Sequence, residues 1–284
     1  MRRFSSVLGV LLDFVLPVGD AKSYRSLAEA NWFKVETVRL ELKRLSDVFS
    51  GLRVAQISDI HMGGWMNIDR LQLVADWLMT QKPEVLLITG DFLIGRGFTE
   101  ISELWINDLT RVLSPLASSI PSFAVLGNHD YWTNPNAVRR MLFRSGITDL
   151  TNTVFTLRLA GESLHLCGVD DIRAGDVRLE QVTAQLNDNS AAILLVHEPD
   201  FADVSAAIGK FDLQVSGHTH GGQIVLPFIG APMLPYLGRK YPSGLYKVGN
   251  MYQYTNRGLG ANSIALRWNC PPEVTIFVLD SIAS

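Results

Sequence analysis

Residue types able to hold a metal ion fall in five short blocks: Asp59-Ile60-His61, Gly90-Asp91, Gly127-Asn128-His129-Asp130, His197-Glu198 and Gly217-His218-Thr219-His220. Five of the six histidines lie in these blocks, and His165 is the exception. The donors on offer are imidazole nitrogen, carboxylate oxygen and one amide oxygen, with no thiolate. That mixture suits Mn, Fe, Zn or Ni, whereas an all-oxygen site suits Mg or Ca. Asp59, His61, Asp91, Asn128, His197, His218 and His220 are too many for one four-coordinate ion. They suit two divalent ions that share a carboxylate.

Each block follows an apolar run that reads as a strand. Leu52–Ser58 precedes the first block, Val85–Thr89 the second and Phe123–Leu126 the third. Ala191–Val196 precedes the fourth, and Asp212–Val215 the fifth. Short apolar runs bounded by glycine are the pattern of strands buried on both faces. Ligands in open α/β sheets bind outside the carboxyl ends of the strands, so the five blocks converge on one rim. Period two returns a strand's side chains to the same face, which predicts that Asp59 and His61 project together, as do His218 and His220. Helical spacing predicts helices at Asn67–Gln81, at Thr99–Ser114 up to Pro115, and after Asn134-Pro135 as far as Ser145. Further helices are expected at Leu179–Leu186 and Phe201–Ile208. Lys34–Leu42 alternates as a half-buried strand. Hairpins are expected around Ala160-Gly161 and Gly249-Asn250, and Val274–Leu279 reads as a last strand.

The five ordered blocks closely resemble the pattern of the calcineurin-like metallophosphoesterase superfamily, over roughly residues 50 to 222. The resemblance implies a four-layer α/β/β/α sandwich with a dinuclear metal site at the carboxyl ends of the strands. It implies a first metal held by Asp59, His61, Asp91 and His220, and a second held by Asp91, Asn128, His197 and His218, with Asp91 bridging. Two such ions clamp an in-line phosphoryl displacement, and the implied nucleophile is a metal-bridging hydroxide. His129 is the implied catalytic residue, contacting the phosphate and protonating the leaving alkoxide. Imidazole suits that task because its unperturbed pKa is about 6.5. Asp130 either orients His129 or caps the turn that follows it.

The tail sharpens the match. Gly221-Gly222-Gln223, Pro227-Phe228-Ile229-Gly230, Tyr241–Tyr246, Arg257–Gly260 and Arg267–Glu273 resemble a bacterial, often membrane-associated phosphodiesterase branch. Some of its members are assigned UDP-2,3-diacylglucosamine pyrophosphatase activity in lipid A biosynthesis. The expected function is therefore a metal-dependent phosphodiesterase or pyrophosphatase, with a lipid-linked phosphoester as one candidate substrate. The alternatives are a phosphomonoesterase or protein phosphatase on the same fold, and a non-catalytic scaffold. Gly-x-Ser-x-Gly, Walker-type, His-Glu-x-x-His and Cys-x-x-Cys motifs are absent from the sequence.

The 284-residue chain is 47% hydrophobic and 19% charged, with a mean hydropathy of +0.15 and a net charge of −3. Disorder is excluded by this mixture, and a nucleic-acid partner is not expected without a basic excess. Cys167 and Cys270 are too few for a disulfide scaffold or a Cys-rich zinc site. Apolar character concentrates in two places. Residues 1–30 form an apolar N-terminal segment ahead of a catalytic domain at 31–284, and its run 4–18 follows two arginines. It reads as a packed helix, an interfacial anchor, an uncleaved signal-anchor or a cleaved signal, being too short for a spanning helix of about 20 apolar residues. Ile224–Leu237 carries no charge and reads as a buried loop or as an apolar lip for an acyl chain or bilayer, with Arg239 and Lys240 placed for anionic headgroups. The expected location is membrane-associated at the cytoplasmic face of the inner membrane, with a soluble cytoplasmic enzyme as the alternative. His165 is expected to be structural, and Cys167 and Cys270 to be a buried thiol and a loop thiol without a catalytic role. Arg257 and Arg267 read either as structural or as phosphate-binding.

Overall fold

The computed structural model describes residues 32–95, 100–187, 189–262 and 265–282. The N-terminal segment 1–30 lies outside them. Two six-stranded sheets form the frame. The first contains β1 (Lys34–Leu42), β2 (Leu52–Ile57), β3 (Val85–Thr89), β4 (Ser122–Val125), β5 (Thr148–Asp149) and β12 (Glu273–Ser281), in the order β1-β12-β2-β3-β4-β5. The second contains β6 (Thr153–Leu159), β7 (Glu162–Gly168), β8 (Ala191–Leu195), β9 (Leu213–Ser216), β10 (Gly244–Val248) and β11 (Met251–Thr255), in the order β10-β11-β9-β8-β7-β6. β2, β3 and β4 run parallel to one another, and so do β8 and β9. Parallel strands put their carboxyl ends on one side, which is what a shared site needs.

One core joins the inner faces. Val54, Leu87, Phe123 and Phe277 from the first sheet pack with Leu164, Ile193, Leu213 and Tyr254 from the second. Beside the first sheet, α1 (Ile68–Gln81) packs against α2 (Glu100–Ser119), α2 against α4 (Pro135–Ser145), and α4 against β5. A second cluster, with Val182, Leu186, Leu194, Ala202 and Phe211, joins the outer face of the second sheet to α5 (Leu179–Thr183) and α6 (Ala202–Ile208). The arrangement is helix, sheet, sheet, helix, the expected α/β/β/α sandwich.

The helix ends follow from local chemistry. The Asn67 side chain accepts from the N–H of Arg70 at 3.0 Å and starts α1. Asn134 caps α4 through the N–H of Ala137, with Pro135 at its first position and Gly146 at φ 76° closing it. Two expectations fail. Pro115 lies inside α2, which continues to Ser119. The lost backbone hydrogen bond costs about 3 kcal/mol, but Leu116 and Ile120 beyond it are buried, and each such burial returns about 1.5–3 kcal/mol. The third block also forms its own short helix, α3 (Asn128–Thr133), where the sequence suggested only a turn.

Candidate metal centre

All five blocks meet at the carboxyl ends of β2, β3, β4, β8 and β9. Asp59, His61, Asp91, Asn128, His197, His218 and His220 are all buried. Their convergence is not the strand alternation expected from Asp-x-His and His-x-His. β2 ends at Ile57 and β9 at Ser216, so both pairs lie beyond their strands. Instead, Asp59, His61, Asp91, His218 and His220 take positive φ values of 48°, 48°, 57°, 72° and 52°. A non-glycine residue in that region costs about 1–3 kcal/mol and persists only where the surroundings impose it. Glycine makes the crowding possible. A Cβ on Gly217 would collide with Ser58 Oγ and Asp59 Oδ2, and one on Gly127 would collide with the Asp91 carboxylate.

Distances define the donor set. His61 Nε2 stands 3.8 Å from Asp59 Oδ1 and 3.4 Å from Asp91 Oδ2. His220 Nε2 is 3.4 Å from Asp59 Oδ1 and 3.0 Å from His61 Nε2. His197 Nε2 is 3.2 Å from Asp91 Oδ2. Two donors each about 2.1 Å from one ion sit roughly 3.0–3.4 Å apart, so all of these separations but the one of 3.8 Å are those of atoms facing a common cation. Three donor triplets result: Asp59 with His61 and His220, Asp59 with Asp91 and His197, and His61 with Asp91 and His129. Asp91 belongs to two of them. Asn128 Oδ1 is buried without a hydrogen-bond partner. Orphaned buried acceptors of this kind are costly, and a cation satisfies them. The residues fit divalent metal.

His218 stands apart from those triplets. Its Nε2 bonds the Tyr236 carbonyl at 2.9 Å, which leaves Nδ1 for the site, and its ring lies 5.0 Å from that of His197. His129 is fixed as a partner rather than enclosed. Its Nδ1 pairs with the Ile94 carbonyl at 2.6 Å, and its Nε2 lies 3.5 Å from the Asn262 side-chain nitrogen at the cavity.

The electrostatics report a shortage of positive charge. Burial opposes a charged His61, but its hydrogen bonds to Asp59 and Asp91 overcome that and raise its pKa to about 9. Burial likewise opposes a charged His197, yet Asp91 holds its pKa well above the ordinary value. Despite burial, Asp59 is held low by His220 and His61, and Asp91 by His197 and His129. The buried carboxylates thus favour a proton on the His61 ring and on the His197 ring. Burial and the neighbouring His197 push His218 down to about 4. Burial, opposed by Asp91, lowers His129.

Several supporting residues were illegible in the sequence or only half legible. The Asp130 carboxylate accepts from the backbone N–H of Asp91 (2.9 Å), Phe92 (2.9 Å), Leu93 (3.2 Å) and Gly127 (3.0 Å). It therefore caps its own helix and holds the Asp91 loop, and makes no bond to the His129 ring. Glu198 and Asp171 form a buried carboxyl pair beside His197. Burial and then Asp171 raise Glu198 well above its ordinary range, and burial raises Asp171 as well. Arg257 pairs with Glu36 at 2.8 Å and Glu273 at 2.6 Å. Arg267 donates to the carbonyls of Arg257 and Gly260 and lies 3.2 Å from His220 Nδ1. Both arginines are structural. His165 contacts Thr156 and Asn187, away from the cluster, and both cysteines are buried free thiols.

The charge-free segment is not the buried loop that was one reading of it. Phe228 is fully exposed, and Ile229, Met233 and Tyr236 are largely so. Pro235 lines the cavity over the donor cluster. Lys240, one of the two cations read as placed for anionic headgroups, pairs with Asp203 at 2.7 Å. Among the described residues, no helix is long and apolar enough to cross a membrane.

Residues 52–222 match the family described as calcineurin-like phosphoesterase. The chain is 31% identical over 277 residues to an uncharacterized metallophosphoesterase, YkuE, of Bacillus subtilis, covering 97% of this chain and 95% of that protein. It is 32% identical over 265 residues to the phosphodiesterase YaeI of Escherichia coli, covering 90% and 92%. A solved Thermus thermophilus structure shares the fold at a TM-score of 0.50 and 10% identity, covering 74% of this chain and 90% of that one. The chain belongs to the calcineurin-like phosphoesterase family, a phosphoester hydrolase family that uses divalent metal ions.

Proposed function

We propose that this phosphoesterase is a phosphodiesterase or pyrophosphatase that works with two divalent transition-metal ions, Mn, Fe or Zn. Asp59, His61, Asp91 and His220 would hold one, and Asp91, Asn128, His197 and His218 the other. The observation that carries this reading is the position of Asp91, whose Oδ2 stands 3.4 Å from His61 and 3.2 Å from His197. One carboxylate thus serves both halves of the donor set. When bound, such ions neutralise phosphoryl charge, polarise the phosphorus and acidify water.

The chain's own groups do the rest. His129 donates Nδ1–H to the Ile94 carbonyl, which fixes its tautomer and leaves Nε2 toward the cavity. With a second proton taken up from solvent on Nε2, the ring would pass that proton to the leaving oxygen and return to its Nδ1–H form. Asp130 keeps the Asp91 loop in its strained conformation through three loop N–H groups. His197 donates Nδ1–H to the Thr89 carbonyl at 2.7 Å, which turns its Nε2 inward.

The exposed Phe228, Ile229, Met233 and Tyr236 support a lipid-linked substrate presented at a membrane surface, such as UDP-2,3-diacylglucosamine. Apolar patches of this kind beside a site mark binding surfaces. The test is turnover by the Mn²⁺-loaded protein of bis(p-nitrophenyl) phosphate, p-nitrophenyl phosphate and UDP-2,3-diacylglucosamine. The diester is expected to outrun the monoester, and the lipid nucleotide to outrun both. A faster monoester would move the protein to the phosphomonoesterases. A lipid nucleotide no better than the generic diester would remove the lipid reading.

A further inference from the structure

The cavity over the donor cluster has a volume of about 290 Å³, and its lining includes Trp132 and Arg173, which belong to neither metal half nor the apolar lip. Trp132 is half exposed, and its ring lies 4.6 Å from that of the proton carrier His129. The Arg173 guanidinium carbon lies 5.3 Å from the centre of the Trp132 ring. Contacts therefore lead from His129 through the indole to a cation.

The Arg173 backbone is pinned, whereas its charge is uncommitted. The N–H groups of Arg173 and Ala174 donate to Asp171 Oδ1 at 3.0 and 2.7 Å. Asp171 is itself buried and paired with Glu198, next to His197. Among the described residues the guanidinium has no carboxylate partner, in contrast to Arg257 on Glu36 and Glu273. An exposed arginine over an indole keeps its planar face supported, and its fork of N–H donors remains open. That fork matches two oxygens of a phosphoryl group.

The place of Arg173 decides which phosphoryl group it meets. The reacting group belongs over Asp91, between the metal halves. Arg173 lies against Trp132, which in turn touches His129, the residue proposed to protonate the leaving oxygen. A cation there addresses an anion attached to the leaving group. We propose that Arg173, steadied by Trp132, is a specificity-determining residue that binds the second phosphoryl group of a diphosphate diester. This rests on the phosphodiesterase reading and narrows it to substrates with two linked phosphoryl groups.

The test compares UDP-glucose, a diphosphate diester, with the p-nitrophenyl ester of thymidine 5′-monophosphate, which has one phosphoryl group. Both are assayed with Mn²⁺-loaded wild type, Arg173→Ala, Arg173→Lys and Trp132→Ala. Arg173→Ala is expected to lower kcat/KM for UDP-glucose roughly tenfold to a hundredfold more than for the monophosphate diester, mainly through KM. Arg173→Lys should recover part of that difference, and Trp132→Ala should lose part of it. Equal losses on the two substrates, or no loss on UDP-glucose, would overturn the assignment. Calorimetric binding of inorganic pyrophosphate and of inorganic phosphate to the Mn²⁺-loaded protein gives a second readout. Arg173→Ala is expected to lower the pyrophosphate-to-phosphate affinity ratio at least about tenfold, and an unchanged ratio would also overturn it. Were wild type to hydrolyse no phosphoester, the phosphodiesterase reading would fall while the binding ratio still decided the role of Arg173.

Discussion

The donor cluster and the rim around it are built by opposite rules. In the cluster, every side chain is buried, five of the seven donor residues sit on backbone at positive φ, and the His197 and His218 rings are each fixed by a backbone carbonyl. At the rim, Phe228, Ile229, Met233 and Tyr236 are exposed, and Arg173 has its backbone tied but its charge free. The difference separates chemistry from recognition. A reacting centre needs atoms placed to within fractions of an ångström, which strained and over-determined backbone supplies. A surface that meets a variable substrate needs side chains able to adapt, and exposure supplies that.

Replacing Asp91 is the harshest way to test this division. Asp91→Asn removes the charge common to both halves and is expected to cut diester turnover by about a thousandfold. Bound metal measured by mass spectrometry should fall below that of wild type; an unchanged metal content would break the shared-carboxylate arrangement. His129→Ala should cost about 10²–10⁴ in kcat and leave metal content at the wild-type level, so the two variants separate holding from proton transfer. Gly217→Ala places a methyl group against Ser58 and Asp59. It is expected to destabilise the fold by about 1–3 kcal/mol, the usual cost of overpacking, read as a lower denaturation midpoint.

Acidity tests the cluster without mutation. His61 carries a proton up to about pH 9 in the metal-free site, and a metal ion must displace it. Below that value each fall of one pH unit is expected to weaken Mn²⁺ binding by up to about tenfold per proton displaced. Affinity should therefore rise from pH 6.5 to pH 8.5 in a direct titration, and a flat profile would deny that metal binding displaces an imidazole proton. The rim gives the smallest effect on turnover. Phe228→Ser with Ile229→Ser removes two exposed apolar side chains, each worth about 1.5–3 kcal/mol when buried. Binding to anionic vesicles should drop about tenfold or more, with a far smaller change in hydrolysis of a soluble diester.

The sequence announced the cluster better than the rim, for a physical reason. Strand ends followed by Asp, Asn and His are visible because β2, β3, β4, β8 and β9 are apolar runs with abrupt polar stops. What brings those residues together was not visible. The left-handed backbone at Asp59 and His218 depends on space left by Gly217, across more than a hundred and fifty residues of chain. Asp130 could be seen as a cap, but its hold on the Asp91 loop needs β3 and β4 side by side. Pro115 looked like a helix stop because the sequence alone does not say how much burial lies beyond it. Trp132 and Arg173 carried no motif, and only the folded cavity puts them next to His129.

The most direct test of the dinuclear phosphodiesterase is metal stoichiometry measured together with diester turnover during stepwise Mn²⁺ addition to chelator-stripped protein. Turnover of bis(p-nitrophenyl) phosphate is expected to saturate only as the second ion binds, and to be lost in Asp91→Asn. Full turnover with one ion per chain, or turnover that persists in the stripped protein, would contradict it.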